Sequence, residues 1–338
     1  MIDDLLRHGS RIPFFVMEVI ILSEEKEIQV GGQAIIEGVM MRSPDRVAVA
    51  VRRPDGKIVL KNDPYISLTK RNKFWGLPII RGAVILIESI VIGIKALTFS
   101  GDVAVTEEQK KEEKKSKNKN PKKSGISNLW LIGTVIFSLI IGLALFFYLP
   151  LILTDLLGAK TGFWFNIVDG ILRVIIFLLY LGLITLWKDI QRIFQYHGAE
   201  HKTIFAFEDG KELTVENSQS YTPHHPRCGT SFILTVLLIS IFVFMLLGRP
   251  ETIVDRLVRL AFVPLIGGIS YEIIKLSDKK KNNPIVNLFI QPGLWLQKIT
   301  AREPDESMLE VALVALKGSL GSQFSDDPNV VLADDLKS

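Results

Sequence analysis

Long apolar runs separated by short charged stretches fill most of this 338-residue chain after its first quarter, and short strand-like runs occupy its beginning. Leu129 to Leu149 has twenty-one residues without a charge, which predicts a helix that crosses a bilayer. Trp164 to Trp187 predicts a second span, with Asp169 and Arg173 near its start and a tryptophan at each end, where indole rings favour the interface. Thr230 to Gly248 predicts a third. A fourth, Ile253 to Leu276, carries Asp255, Arg256, Arg259 and Glu272, and pairs with the third through the turn residues Gly248, Arg249 and Pro250. Leu77 to Phe99 is long enough to span, but Arg81, Glu88 and Lys95 share one helical stripe. Each charge costs about 2.5 to 3.5 kcal/mol at a bilayer centre, which favours a helix in the interface or lining a protein groove.

The N-terminal part follows a different period. Ile12 to Leu22 is apolar but too short to span. Val30 to Arg42 contains Gly31, Gly32 and Gly38, positions of unusual backbone or close approach, and Glu37 as its only acid. Val47 to Arg53, the turn Pro54-Asp55-Gly56 and Lys57 to Leu60 predict a β-hairpin. Thr203 to Phe207, Asp209-Gly210 and Lys211 to Val215 predict another, and a shared sheet would bring Glu37 near the residues before 203. Thr106 to Lys123 is a run of lysines and glutamates that predicts a solvated linker. Asn287 to Thr300 is amphipathic, with Leu288, Phe289, Leu294, Trp295 and Leu296 as its membrane face. A helix then opens at Arg302 to Glu306, with Pro304 in its first turn, and stops at Gly318.

These elements predict a polytopic α-helical membrane protein with about four transmembrane helices and a small cytoplasmic α+β part built from β-hairpins. The segments are an N-terminal part (1–76), a membrane-associated helix (77–99), a charged linker (100–126), a transmembrane hairpin (127–190), a cytoplasmic His/Cys segment (191–229), a second hairpin (230–276) and cytoplasmic amphipathic helices with a tail (277–338). Composition agrees: 48% of residues are hydrophobic and the mean hydropathy is +0.30. The net charge of +4 is placed unevenly, which suits membrane flanks and excludes a nucleic-acid-binding face. Eight lysines between 110 and 123, five basic residues between 188 and 229, and Lys279 to Lys281 face loops that hold only Lys160 and Arg249. The positive-inside rule then puts the linker, the 188–229 segment and the C-terminus in the cytoplasm. A single cysteine excludes an intrachain disulfide, and no P-loop glycine pattern marks a nucleotide site.

Four of the five histidines and the only cysteine fall between Tyr196 and Cys228. Residues 197 to 201 fit H-x-x-E-H, which on a helix puts His197 and His201 one turn apart, about 40° round the axis, within reach of one metal ion. Glu200 flanks that face, placed to bind the ion or to take a proton from water. Further ligands are His224, His225 and Cys228. With His197, His201, His225 and Cys228 all bound, a zinc ion is closed and structural; with three bound, a position stays open for Glu200 to work on. Without a metal, these residues are surface polar groups beside a small core cysteine. Arg227 is a candidate to pair with a phosphate or carboxylate, or an anchor at a membrane entry. Glu37 is either a further carboxylate at the site or a sheet-edge acid.

Several blocks together resemble the YqhQ-like family of bacterial membrane proteins, a domain of unknown function labelled as a metal-dependent enzyme. They are Gly31 to Arg42, Tyr196 to Lys202, His225 to Phe232, Gln291 to Gln297 and Arg302 to Asp305. The resemblance covers most of the chain and implies metal dependence without a substrate. The expectation is a multi-pass protein of the cell membrane, holding a divalent metal, with zinc first, and acting as a metallohydrolase on a lipid or a membrane protein. Its catalytic residues would be Glu200 and Arg227. A membrane scaffold or lipid-handling protein with a structural metal is the alternative.

Overall fold

The computed structural model describes residues 28–104, 124–159, 161–279, 283–322, 324 and 327–335. The apolar run at 12–22, the linker at 106–123 and the lysines at 160, 280 and 281 lie outside them.

Five strands form one sheet in the order β1 (Gly31–Ile35), β2 (Gly38–Arg42), β3 (Arg46–Arg52), β4 (Ile58–Pro64), β5 (Val330–Leu332); all pairs are antiparallel except β4 with β5. The expected hairpin is β3–β4, closed by Gly56 at φ 88° and by Asp55, whose carboxylate accepts from the Lys57 amide at 3.1 Å. Gly38 is required where it stands, because a Cβ there would lie 2.2 Å from the Ala50 carbonyl oxygen. Strand alternation sends Val39, Met41, Ala48, Ala50, Ile58 and Leu60 to one face, and Ile35, Met40, Val47, Val49 and Val51 to the other. Both faces are covered, which explains why these strands are apolar nearly throughout.

Helix α1 (Leu68–Arg71) leads into α2 (Ile80–Ala104), whose Ile92, Ala96, Phe99 and Val103 cover the second face. On the first face lie α6 (Lys188–Glu208), α7 (Val215–Gln219) and the almost fully buried α12 (Glu306–Ser319), capped by Asp305. The hairpin expected at 203–215 is absent. Thr203 to Phe207 continue α6, because Ile204 and Phe207 pack into the same core as the sheet. Asp209-Gly210 is a helix stop instead of a hairpin turn. The Lys211 amide donates to the Ala206 carbonyl at 2.9 Å and the Gly210 amide to Phe207 at 3.0 Å, with Gly210 at φ 64°.

The apolar layer holds α3 (Ser124–Leu143), a π turn (Ala144–Tyr148), α4 (Leu149–Leu156), α5 (Gly162–Ile184), α8 (Gly229–Leu247), α9 (Ile253–Ala261), α10 (Val263–Lys279) and α11 (Pro284–Thr300). Pro150 accounts for the π turn, since it offers no N–H and crowds the carbonyl of Phe146. Among the described residues, five segments are long and apolar enough to cross a membrane: 80–104, 136–156, 162–184, 229–247 and 253–277. The extra one relative to the expected four is α2. Its stripe of charges is largely neutralised: Arg81 pairs with Glu272, and buried Glu88 accepts from Ser67 at 2.8 Å, the Leu68 amide at 2.7 Å and Arg42 at 3.3 Å.

Candidate metal centre

Helix α6 continues in sequence from α5 after a break at Thr185 to Trp187, and is apolar on the face that meets the sheet and α12. Its two histidines leave on one side, with ring centroids 4.3 Å apart. Gly198, between them, permits this seating: a Cβ there would lie 1.9 Å from the Arg302 carbonyl oxygen, so α6 presses directly on the turn before α12. The Arg302 amide donates to the Phe194 carbonyl at 2.9 Å, and Lys202 pairs with Glu303.

Each histidine is oriented by a backbone carbonyl. His197 Nδ1–H donates to Thr300 at 2.7 Å, and His201 Nδ1–H donates to Pro223 at 2.6 Å. A neutral ring that donates from Nδ1 carries its lone pair on Nε2. His197 Nε2 lies 3.1 Å from Cys228 Sγ. His201 Nε2 is buried without a hydrogen-bond partner among the described residues. One ring nitrogen of each histidine and the sulfur all lie within 4.8 Å of one another.

Cys228 is the N-cap of α8, its sulfur facing the Thr230 hydroxyl at 3.1 Å and amide at 3.4 Å. Burial alone would push the thiol up; the neighbouring His201 ring and Thr230 outweigh it and hold the pKa below the usual thiol value. Burial lowers the pKa of His201, which favours the neutral ring. Glu200 lies beside the group, and burial raises its carboxyl to about 8, reinforced by Cys228 and opposed by His197 and the Gly32 amide. Its Oε2 has no partner among the described residues. Gly32 makes room for it, since a Cβ there would meet the Glu200 side chain at 2.9 Å.

His225 does not join the three. Its Nδ1 accepts from the Arg227 amide at 3.2 Å and its Nε2 faces Glu208 at 3.4 Å, while Arg227 also pairs with Glu208. The reason is the clasp on its backbone: Gln297, fully buried in α11, accepts from the His225 amide at 2.7 Å and donates to its carbonyl at 2.8 Å. With the loop so fixed, Cys228 meets His197, while the His225 ring lies further along α6 against Phe205 and Glu208. His224 bonds to Thr222 instead. Glu37 lies at the β1–β2 turn with φ 52°, a region unusual for a residue with a side chain, and there it pairs with Arg192 and accepts from the Tyr196 hydroxyl at 3.2 Å. It braces α6 one and two turns before Glu200 and is absent from the close group of ligand atoms.

Sequence reasoning marked Gly32 as a position of close approach without its neighbour, and missed Thr300, Pro223 and Gln297. Gly32 and Gln297 lie inside the sequence blocks that carried the family resemblance, and Pro223 and Thr300 stand two residues before such blocks; that was the available signal.

A layer of helices of membrane-crossing length, joined to a small mixed sheet with a His/His/Cys cluster between α6 and α8, defines the class of protein. The chain belongs to the family described as protein of unknown function (DUF1385), whose model matches residues 77–322. It is 34% identical over 316 residues to the uncharacterized protein YqhQ of Bacillus subtilis (strain 168), covering 88% of this chain and 94% of that protein. No solved structure matches it. The motif at Gly31 to Arg42 lies outside the family model, yet it supplies Gly32 and Glu37 to the surroundings of the site.

Proposed function

We propose that this chain is an integral membrane metal-dependent enzyme, most simply a hydrolase acting on a lipid or a membrane protein. His197 Nε2, His201 Nε2 and Cys228 Sγ would hold a divalent ion, zinc first. The supporting observation is the orientation of the rings: both Nδ1 atoms are anchored on carbonyls, and both Nε2 atoms are left to converge with one sulfur. Two imidazoles and a thiolate suit zinc, and three protein ligands leave a fourth position open. When bound, zinc would supply Lewis-acid polarisation of a substrate oxygen and ready ionisation of water. Glu200 stands outside the close ligand group, with one buried oxygen uncommitted, so its role is to accept and return a proton. Half-buried His197 marks the open edge of the group. The distribution of lysine and arginine supports a cytoplasmic position for this face.

The burial of Glu200 favours one alternative, a closed site in which its carboxylate is the fourth ligand and the ion only staples α6 to α8. Elemental analysis of the detergent-purified chain separates the two. Near-stoichiometric metal in the wild type, lost with His201→Ala and kept with Glu200→Gln, is the expected result. Loss with Glu200→Gln as well would establish the closed site. Metal-free, well-folded wild type after reconstitution would sink both.

A further inference from the structure

On the face of the sheet away from the His/Cys cluster, β4 and α2 diverge. Between them lies a groove of about 630 Å³, with walls that include Val49, Trp75, Val91 and Phe99. That volume is in the range of small-molecule sites. The α2 wall continues outward into Ile87, Ile90, Val91, Ile94 and Leu97, each roughly half exposed, on a helix apolar enough to cross a membrane. The groove therefore opens onto the surface that faces lipid.

Its ionisable lining is unbalanced. Glu88 is committed to Ser67, Leu68 and Arg42, and Asp63 pairs with Lys61 at 3.2 Å. Arg71 and Lys95 also line the groove, both exposed, and neither has an acidic partner among the described residues. Apolar walls with two uncommitted cations match a molecule with a hydrocarbon chain and an anionic head. We propose that the groove between β4 and α2 binds an anionic phospholipid of the surrounding bilayer, with an acyl chain along Val49 and Val91 and the phosphate against Arg71 and Lys95. This site lies across the sheet from the candidate metal centre and does not depend on its chemistry. Its occupancy would hold the sheet against the membrane.

Trp75 reports on it directly. In a full-length chain with Trp130, Trp164, Trp187 and Trp295 changed to Phe, acyl-brominated phosphatidylglycerol should quench Trp75 at lower mole fraction than brominated phosphatidylcholine. Each cation should contribute about fivefold to that preference. Arg71→Gln with Lys95→Gln should abolish the preference while leaving the thermal midpoint unchanged, because both side chains are exposed. Inorganic phosphate should not reverse the quenching; if it did, the site would be one for free anions and the lipid assignment would fall. Equal quenching by the two lipids, or a preference that survives the double variant, would overturn the proposal. Mass spectrometry of lipid retained by the chain with its native tryptophans gives a second measure: phosphatidylglycerol should be retained over phosphatidylcholine, and no such excess in the wild type would also overturn it.

Discussion

Asn166, Asp169, Arg173 and Arg259, between α5 and α9, are as deeply buried as Glu200, His201 and Cys228, between α6 and α8. In the first group nearly every arm ends on a partner. Arg173 donates to Asp169 at 2.9 and 3.2 Å and to the Phe146 carbonyl that the π turn exposes at 3.0 Å. Arg259 donates to Asn166 at 2.6 Å and to the Gly248 carbonyl, and the rings of Phe147, Phe165 and Phe244 flank the guanidiniums. Its Nη1 lacks a hydrogen bond yet lies 3.8 Å from Asp169. In the second group the surroundings are equally well built, through Thr300, Pro223 and Gln297, while the atoms at the centre, His201 Nε2 and Glu200 Oε2, have no hydrogen-bond partner among the described residues. A buried polar group without a partner costs about 1 to 3 kcal/mol. A joint between helices has no use for that cost, whereas a ligand site does.

The largest expected effect breaks the first group. Asp169→Ala leaves two buried guanidiniums without a carboxylate and should destabilise the chain by about 3 to 5 kcal/mol, read by thermal unfolding in detergent, with the metal content of the folded fraction unchanged. If Asp169→Ala instead spared stability and removed metal, the contrast between the groups would collapse. Next in size is the response to zinc. At a hundredfold excess over its Kd it should stabilise the wild type by about 2.7 kcal/mol, and His201→Ala should erase that gain while costing the metal-free chain far less than Asp169→Ala does. A chelator should reproduce the His201→Ala behaviour in the wild type.

Read per pH unit, the smallest effect concerns the metal-free chain. The Glu200 carboxyl rises from 4.5 to about 8 on burial, so between those values the folded chain keeps a proton that the unfolded chain has released. Stability is greatest below that window, falls as pH rises through it by at most about 1.4 kcal/mol per pH unit, and levels off above it. Glu200→Gln should remove this slope; a wild type whose stability rises over the same window would show that Glu200 ionises freely in the fold.

Helices α5 and α8 and the hairpin at 47–60 were legible because apolar length and turn chemistry are local properties. Local chemistry also misled. Thr203 to Phe207 has strand-like residues and Asp209-Gly210 a hairpin-like turn, but the core behind α6 made the first helical and the second its stop. The expectation of about four spans omitted α2, because the partners that neutralise its charges, Arg42, Ser67 and Glu272, come from three distant segments.

For the site, the sequence by itself determined the pool of donors and the one-turn spacing of His197 and His201, since a helix sets that spacing over five residues. Which donors converge was decided only by tertiary structure. Thr300 orients His197 from 103 residues away, and Gln297 fixes the loop that carries His225 and Cys228 from 72 residues away. Contacts at that separation depend on how α11 and α12 pack against α6, and packing is a property of the whole fold.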